Sequence, residues 1–153
     1  MLLLNLPSFE VKIVIKEGKR LIFDSIRKKY VALTPEEWVR QHFVHWLVAE
    51  KGYPASLIAN EVQIQLNATR KRCDTVLYDT SLRARMIVEY KSPDVEITQQ
   101  VFNQITRYNM VLKVDYLVVS NGLHHYCCRM DYAHGTYQFL PEIPEYSALQ
   151  SAK

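Results

Sequence analysis

Cys73-Asp74-Thr75-Val76-Leu77-Tyr78 and Met86-Ile87-Val88-Glu89-Tyr90-Lys91 are the two stretches on which the fold turns. Both are short and rich in β-branched and aromatic residues. The polar Asp79-Thr80-Ser81-Leu82-Arg83 between them has turn composition, so they predict neighbouring antiparallel strands. Glu61–Leu66 predicts a third strand, joined to Cys73 by the loop Asn67-Ala68-Thr69-Arg70-Lys71-Arg72. Side chains alternate across a strand, which sets Glu89 and Lys91 on one face, and pairing of the second and third strands brings Asp74 alongside it. Strands deplete both Glu and Lys, and burial of either needs a partner. Two carboxylates and an ammonium converging on one face suit a hard cation such as Mg2+, which binds through one or two carboxylates and keeps several waters. A lysine beside it can orient an attacking water. An E-x-K triplet arises by chance in about half of chains this long, so the weight rests on its placement at a strand end beside Asp74. The competing reading is an edge-strand Glu89–Lys91 ion pair with Asp74 at a turn.

Upstream, Thr34-Pro35-Glu36-Glu37 starts a helix: Thr34 serves as N-cap, Pro35 fits the first turn and Glu37 completes a capping box. The helix runs to about Lys51-Gly52, with Val39, Phe43, Trp46 and Leu47 on one core-facing stripe. At roughly 100° per residue Glu36 falls at the edge of that stripe and Glu37 away from it, so Glu36 is the acid expected to look inward. Downstream, a second helix from Thr98 to about Lys113 carries Val101, Ile105, Tyr108 and Leu112 on one side. Asp115–Ser120 is a nearly all-apolar strand closed by Asn121-Gly122, and Tyr126–Met130 with Tyr137–Leu140 adds an edge hairpin. Near the N-terminus, Phe9–Ile15 and Arg20–Asp24 flank Lys16-Glu17-Gly18-Lys19 as a β-hairpin. The order helix, three strands, helix, strand gives an α/β (α+β) fold with a mixed central sheet flanked by helices. One domain over 1–153 is expected, with a core of about 34–130, an N-terminal hairpin extension 1–33 and a C-terminal extension 131–153.

Length and composition agree. The 153 residues match the roughly 150 of a typical domain, and 48% hydrophobic with 23% charged residues are globular values. Nineteen Lys plus Arg against sixteen Asp plus Glu leave +3, too mild for a histone-like or polybasic membrane protein. Contact with nucleic acid must then come from local patches. Arg70-Lys71-Arg72 before Asp74 and Arg83 with Arg85 before Glu89 are two basic loops suited to phosphate-backbone attraction, with solvated loops as the alternative. No apolar stretch approaches the roughly 20 residues of a membrane span, and Met1–Pro7 lacks the basic and apolar segments of a signal peptide. With Cys73, Cys127 and Cys128 read as reduced thiols in strands, the expected location is cytoplasmic. His42 with His45, and His124 with His125, lack the further ligands of a zinc site.

Together these residues resemble the PD-(D/E)xK nuclease superfamily and, more narrowly, the N-terminal nuclease domain of the R subunit of type I restriction enzymes. The narrower resemblance rests on Pro35-Glu36-Glu37-Trp38-Val39-Arg40-Gln41, Gly52-Tyr53-Pro54, Lys71-Arg72-Cys73-Asp74, Val88-Glu89-Tyr90-Lys91-Ser92-Pro93, Gln104-Ile105-Thr106-Arg107-Tyr108 and Ser120-Asn121-Gly122. It implies a restriction-endonuclease-like core and Mg2+-dependent hydrolysis of DNA phosphodiesters, with Mn2+ as a substitute metal. By resemblance Asp74 and Glu89 match the metal-binding carboxylates, with the Tyr90 carbonyl as a further metal ligand. Lys91 matches the catalytic lysine, and Gln104 with Tyr108 the Q-x-x-x-Y motif. Glu36 matches a helix acid that supplements the metal site in parts of the superfamily, with Glu61 a weaker candidate. Cys73 stands where the motif has a Pro that contributes no ligand. No helicase or translocase motor follows in this sequence, where the type I R subunit carries one. The expectation is therefore a stand-alone relative or a part of another system, with DNA, motor or specificity subunits, or a second copy in a homodimer as partners. The alternative is a catalytically weak nucleic-acid-binding or assembly module.

Overall fold

The computed structural model describes residues 3–66 and 68–151. Three strands, β1 (Ile13–Lys16), β2 (Lys19–Asp24) and β3 (Lys29–Ala32), form an antiparallel sheet in that order. The N-terminal hairpin is thus extended by a third strand. Its first turn places Glu17 at φ 53° and Gly18 at φ 77°, the doubly left-handed backbone that two-residue hairpins favour and that glycine adopts without strain. Helix α1 (Pro35–Glu50) follows, with Thr34 Oγ1 accepting from the Glu37 N–H at 3.0 Å. Then come β4 (Ile58–Leu66), β5 (Thr69–Tyr78), β6 (Ala84–Tyr90), α2 (Gln99–Asn109), β7 (Tyr116–Ser120), β8 (His125–Asp131), β9 (Thr136–Leu140) and α3 (Tyr146–Ser151).

These six strands form one sheet in chain order, antiparallel throughout except for β6–β7, which are parallel and joined by the α2 crossover. This is the mixed sheet flanked by helices that the element order predicts. Two further elements differ from the sequence pattern. Thr69–Arg72 is strand rather than loop, pairing with Gln63–Leu66; of the expected loop, Asn67 lies outside the described residues. The C-terminal α3, which no periodicity marked, packs Tyr146 and Leu149 into the core.

Each face of the sheet is covered. On one, Val39, Phe43 and Leu47 of α1 meet Leu77, Val88, Tyr90 and Val118. On the other, Phe102 of α2 joins Cys73, Val76, Ile87, Leu117, Val119 and Cys128. Burial on both faces is why Tyr116–Ser120 reads as an uninterrupted buried run. Each large apolar side chain so buried contributes about 1.5–3 kcal/mol. The three thiols are buried and unpaired. Among the described residues no helix is long and apolar enough to cross a membrane.

Leu4, near the N-terminus, is buried in the core. The Asn5 N–H donates to the Gly122 carbonyl at 2.8 Å, and a Cβ on Gly122, whose φ is 86°, would come within 2.7 Å of Leu4 Cδ2. The positive φ is what calls for glycine there, since the Leu4 methyl is the end of a flexible side chain that can turn aside.

Candidate active site

The Thr75–Val88 pairing of β5 and β6 sets Asp74 across from Glu89 at the end of the ladder. Asp74 Oδ2 accepts the Tyr90 N–H at 2.9 Å, and the Glu89 carboxyl shares a hydrogen bond with that of Asp74. Glu89 Oε1 is buried with no partner. Burial first, then the charge of Asp74 and the hydrogen bond to it, push the Glu89 carboxyl far above the usual carboxylate range, with Lys71 and Lys91 pulling the other way. Two carboxylates this close repel each other's charge, and that adds to burial in raising Glu89. What would relieve them is a hard cation, because a buried oxygen with a free lone pair beside a second carboxylate is half a coordination shell. Among the described residues no three His, Cys, Asp or Glu side chains gather as a metal cage. Two carboxylates are oxygen donors suited to Mg2+, which keeps several waters, and not to zinc.

Lys91 follows at the end of β6, where its N–H donates to the Ser120 carbonyl at 2.8 Å and holds the strand end against β7. Its half-buried side chain acts on Glu89. The intervening Tyr90 points the other way, its hydroxyl donating to Thr75 Oγ1 at 2.9 Å. Alternation therefore places Glu89 and Lys91 as the period-2 argument predicts.

A second cation had no place in the sequence-based site. Lys71 is 3% exposed. Burial pushes its ammonium down to about 8 against the pull of Glu89 and Cys73. The available signal was strand parity: Lys71 is two residues before the buried Cys73.

The helix acids are the reverse of expectation. Glu36 is exposed, whereas Glu37 is buried. Glu37 Oε1 accepts from Arg40 Nη2 at 2.6 Å and Arg27 Nη2 at 2.9 Å; Oε2 accepts from Arg40 Nε at 3.0 Å and Gln41 Nε2 at 2.8 Å. Burial raises its carboxyl, but Arg40, Gln41 and Arg27 more than reverse this and hold it below the usual range. Glu61 is likewise engaged, by Arg40 Nη2 at 2.8 Å and Arg72 Nη2 at 2.6 Å. Neither Glu36 nor Glu61 is brought into the Asp74–Glu89 pair.

Gln104 is exposed on α2, outside the contacts that gather Asp74, Glu89, Lys71 and Lys91, and the Tyr108 side chain lies outside the described residues. The two basic loops do not lead into one place. Arg70 and Arg72 sit in β5 on the Asp74 side, but Arg83 and Arg85 lie at the opposite end of β6 from Glu89 and are paired with Asp79 and Asp115. The antiparallel turn that joins β5 to β6 fixes this, since Glu89 ends the strand that those arginines begin.

The profile of the type I restriction enzyme R protein N terminus (HSDR_N) matches residues 35–144. Among solved structures, the fragment structure of a putative HsdR subunit of a type I restriction enzyme from Vibrio vulnificus YJ016 aligns over 77% of this chain with a TM-score of 0.52 and 21% identity. A likeness at that identity shows the fold, which is restriction-endonuclease-like. A cryoEM structure of the DrdV–DNA complex aligns over 76% of the chain with a TM-score of 0.45 and 16% identity. The chain spans 25% of the Vibrio fragment and 11% of the DrdV chain. No curated protein matches the chain in sequence.

Proposed function

Since this chain belongs to the family of type I restriction enzyme R protein N termini, we propose that it is a metal-dependent nuclease domain hydrolysing DNA phosphodiester bonds within a restriction-type complex in the cytoplasm. The observation that carries the reading is the buried, partnerless Glu89 oxygen beside Asp74. Asp74, Glu89 and the Tyr90 carbonyl would hold Mg2+, or Mn2+ in its place. The ion, when bound, supplies Lewis-acid polarisation of the phosphate and a bound water of lowered pKa. Lys91 orients the attacking water and offsets negative charge building on the phosphate oxygens. Lys71, buried beneath the same carboxylates, keeps the net charge of the pocket from repelling the phosphate.

Arg70 and Arg72, exposed on β5, attract the DNA backbone. The rest of the restriction complex, through its motor or specificity subunits or a second copy of this domain, presents the DNA.

The test is divalent-metal titration by calorimetry and cleavage of linear and supercoiled DNA, each on the wild type and on Asp74→Ala and Lys91→Ala. Metal binding lost in Asp74→Ala but kept in Lys91→Ala, with cleavage lost in both, is the expected result. A folded wild type that binds no divalent ion would overturn the assignment.

A further inference from the structure

The strongest unassigned feature is the polar network behind Asp74, at the edge of the apolar core that α1 covers. Arg40 is 6% exposed and spends its guanidinium on three groups: Glu37, Glu61 Oε1, and the main-chain carbonyl of Asp74, which accepts from Nη1 at 2.8 Å. Glu61 lies across from Asp74 on β4, between the Asn60–Thr75 and Val62–Cys73 pairs. Its φ of 57° is a left-handed backbone that a non-glycine residue holds only where surroundings over-determine it. Arg40 and Arg72 together hold that carboxylate. One guanidinium thus grips both residues of the facing pair in β4 and β5, and only the planar fork of arginine can serve acceptors in these directions at once.

A second limb runs beside it. Asp24, at the end of β2, is fully buried; it is paired with Arg27 and accepts from Asn60 Nδ2 at 3.0 Å. Asn60 Oδ1 accepts from Thr75 Oγ1 at 2.8 Å, and Thr75 Oγ1 accepts from the Tyr90 hydroxyl. Arg27 also reaches Glu37, so both limbs start from the N-terminal sheet, before the family-matched residues 35–144. They end on Asp74 and on the residues next to Asp74 and Glu89.

We propose that Arg40 is the positioning residue for Asp74, and that the N-terminal sheet, through Arg27 and Glu37, is the brace that holds Arg40 in place. The sheet of residues 13–32 is then a working part of the site, not an appendage. The inference concerns the placement of Asp74 and rests on the nuclease reading only for its consequence in metal binding.

The readout is the Tyr90 amide, whose acceptor is the Asp74 carboxylate. A shift of Asp74 exposes that amide to exchange, whereas general destabilisation accelerates Tyr90, Val88 and Val118 together. Arg40→Lys should lose about tenfold protection at Tyr90 beyond any change at Val88 and Val118, and Arg27→Ala should lose less, on the order of two- to fivefold. Calorimetric Mg2+ affinity should fall in the same order. Tyr90 exchange that tracks Val88 and Val118 in both variants overturns the proposal. If Arg40→Lys does not fold, Arg27→Ala, whose side chain is partly exposed, decides by the same ratio. A wild type that binds no Mg2+ defeats the nuclease reading, while the exchange ratio still judges Arg40.

Discussion

Two pairs of carboxylates flank the same stretch of β5, and they are treated in opposite ways. Glu37 and Glu61 converge on one guanidinium, with further donors from Arg27, Gln41 and Arg72, so their charges are compensated. Asp74 and Glu89 converge on each other, with an oxygen left buried and unpaired. Both pairs are costly to bury. One is finished as structure, and the other keeps an unmet acceptor, which the proposed metal would fill. The contrast teaches that burial and acidity do not mark a site; an unmet valence does.

The largest expected effect breaks the finished pair. Arg40→Met leaves Glu37 and Glu61 without their shared cation, and removing one partner of a buried ion pair costs about 3–5 kcal/mol. Urea unfolding of the variant should show that loss in the midpoint with little change in slope. A loss under about 1 kcal/mol would mean that the network is ornamental to stability and that the contrast with Asp74–Glu89 fails.

Next comes the unfinished pair, where the sign reverses. Glu89 has a folded-state pKa raised to about 8 from an ordinary 4.5. The folded protein therefore holds a proton that the unfolded chain releases between those values, and stability falls as pH rises from about 4.5 toward 8. Glu89→Gln cannot ionise and escapes that fall. Without divalent ions it should match the wild type near pH 4 and exceed it by on the order of 4 kcal/mol near pH 8. Adding Mg2+ should stabilise the wild type and not the variant. Paired thermal melts at the two pH values, with and without Mg2+, check both halves, and a variant less stable than wild type at pH 8 would contradict the frustrated-pair reading.

This contrast also explains what the sequence could carry. Glu89 and Lys91 were legible because period-2 alternation is a property of the backbone and survives any environment, and Asp74 followed from strand pairing. Glu36 and Glu37 were reversed because a hydrophobic stripe counts only apolar residues. On α1 the buried surface continues past Val39, Phe43 and Leu47 onto Glu37, Arg40 and Gln41, a polar flank buried under the N-terminal sheet and β4. Nothing in a single helix announces that its charged side will be covered by another element's arginine. Lys71 and Arg72 were hidden for a related reason: a polar run reads as loop, yet β4 supplies it with a full ladder. On α2 the buried centre is Phe102 and Thr106, with Val101 and Ile105 only partly covered, a shift of about one residue from the expected stripe that sequence spacing alone does not resolve.

The smallest effect separates two neighbours on β5. Lys71 and Arg72 are adjacent cations, but alternation sends one to each carboxylate pair: Lys71 inward to Glu89, Arg72 outward to Glu61. Arg72 is 70% exposed at its side chain, so its ion pair is screened by water and salt. Arg72→Ala should cost about 0–1 kcal/mol, less at high salt, because Arg40 still holds Glu61. Lys71→Met should do something different in kind. Its ammonium has a depressed folded-state pKa, so the wild type recovers stability as pH rises from about 8 toward 10.5, and the variant lacks that recovery. Melts of the two variants at pH 7 and pH 10 distinguish them. If Arg72→Ala reproduces the pH dependence of Lys71→Met, the two cations serve one cluster and the separation of finished from unfinished carboxylates does not hold.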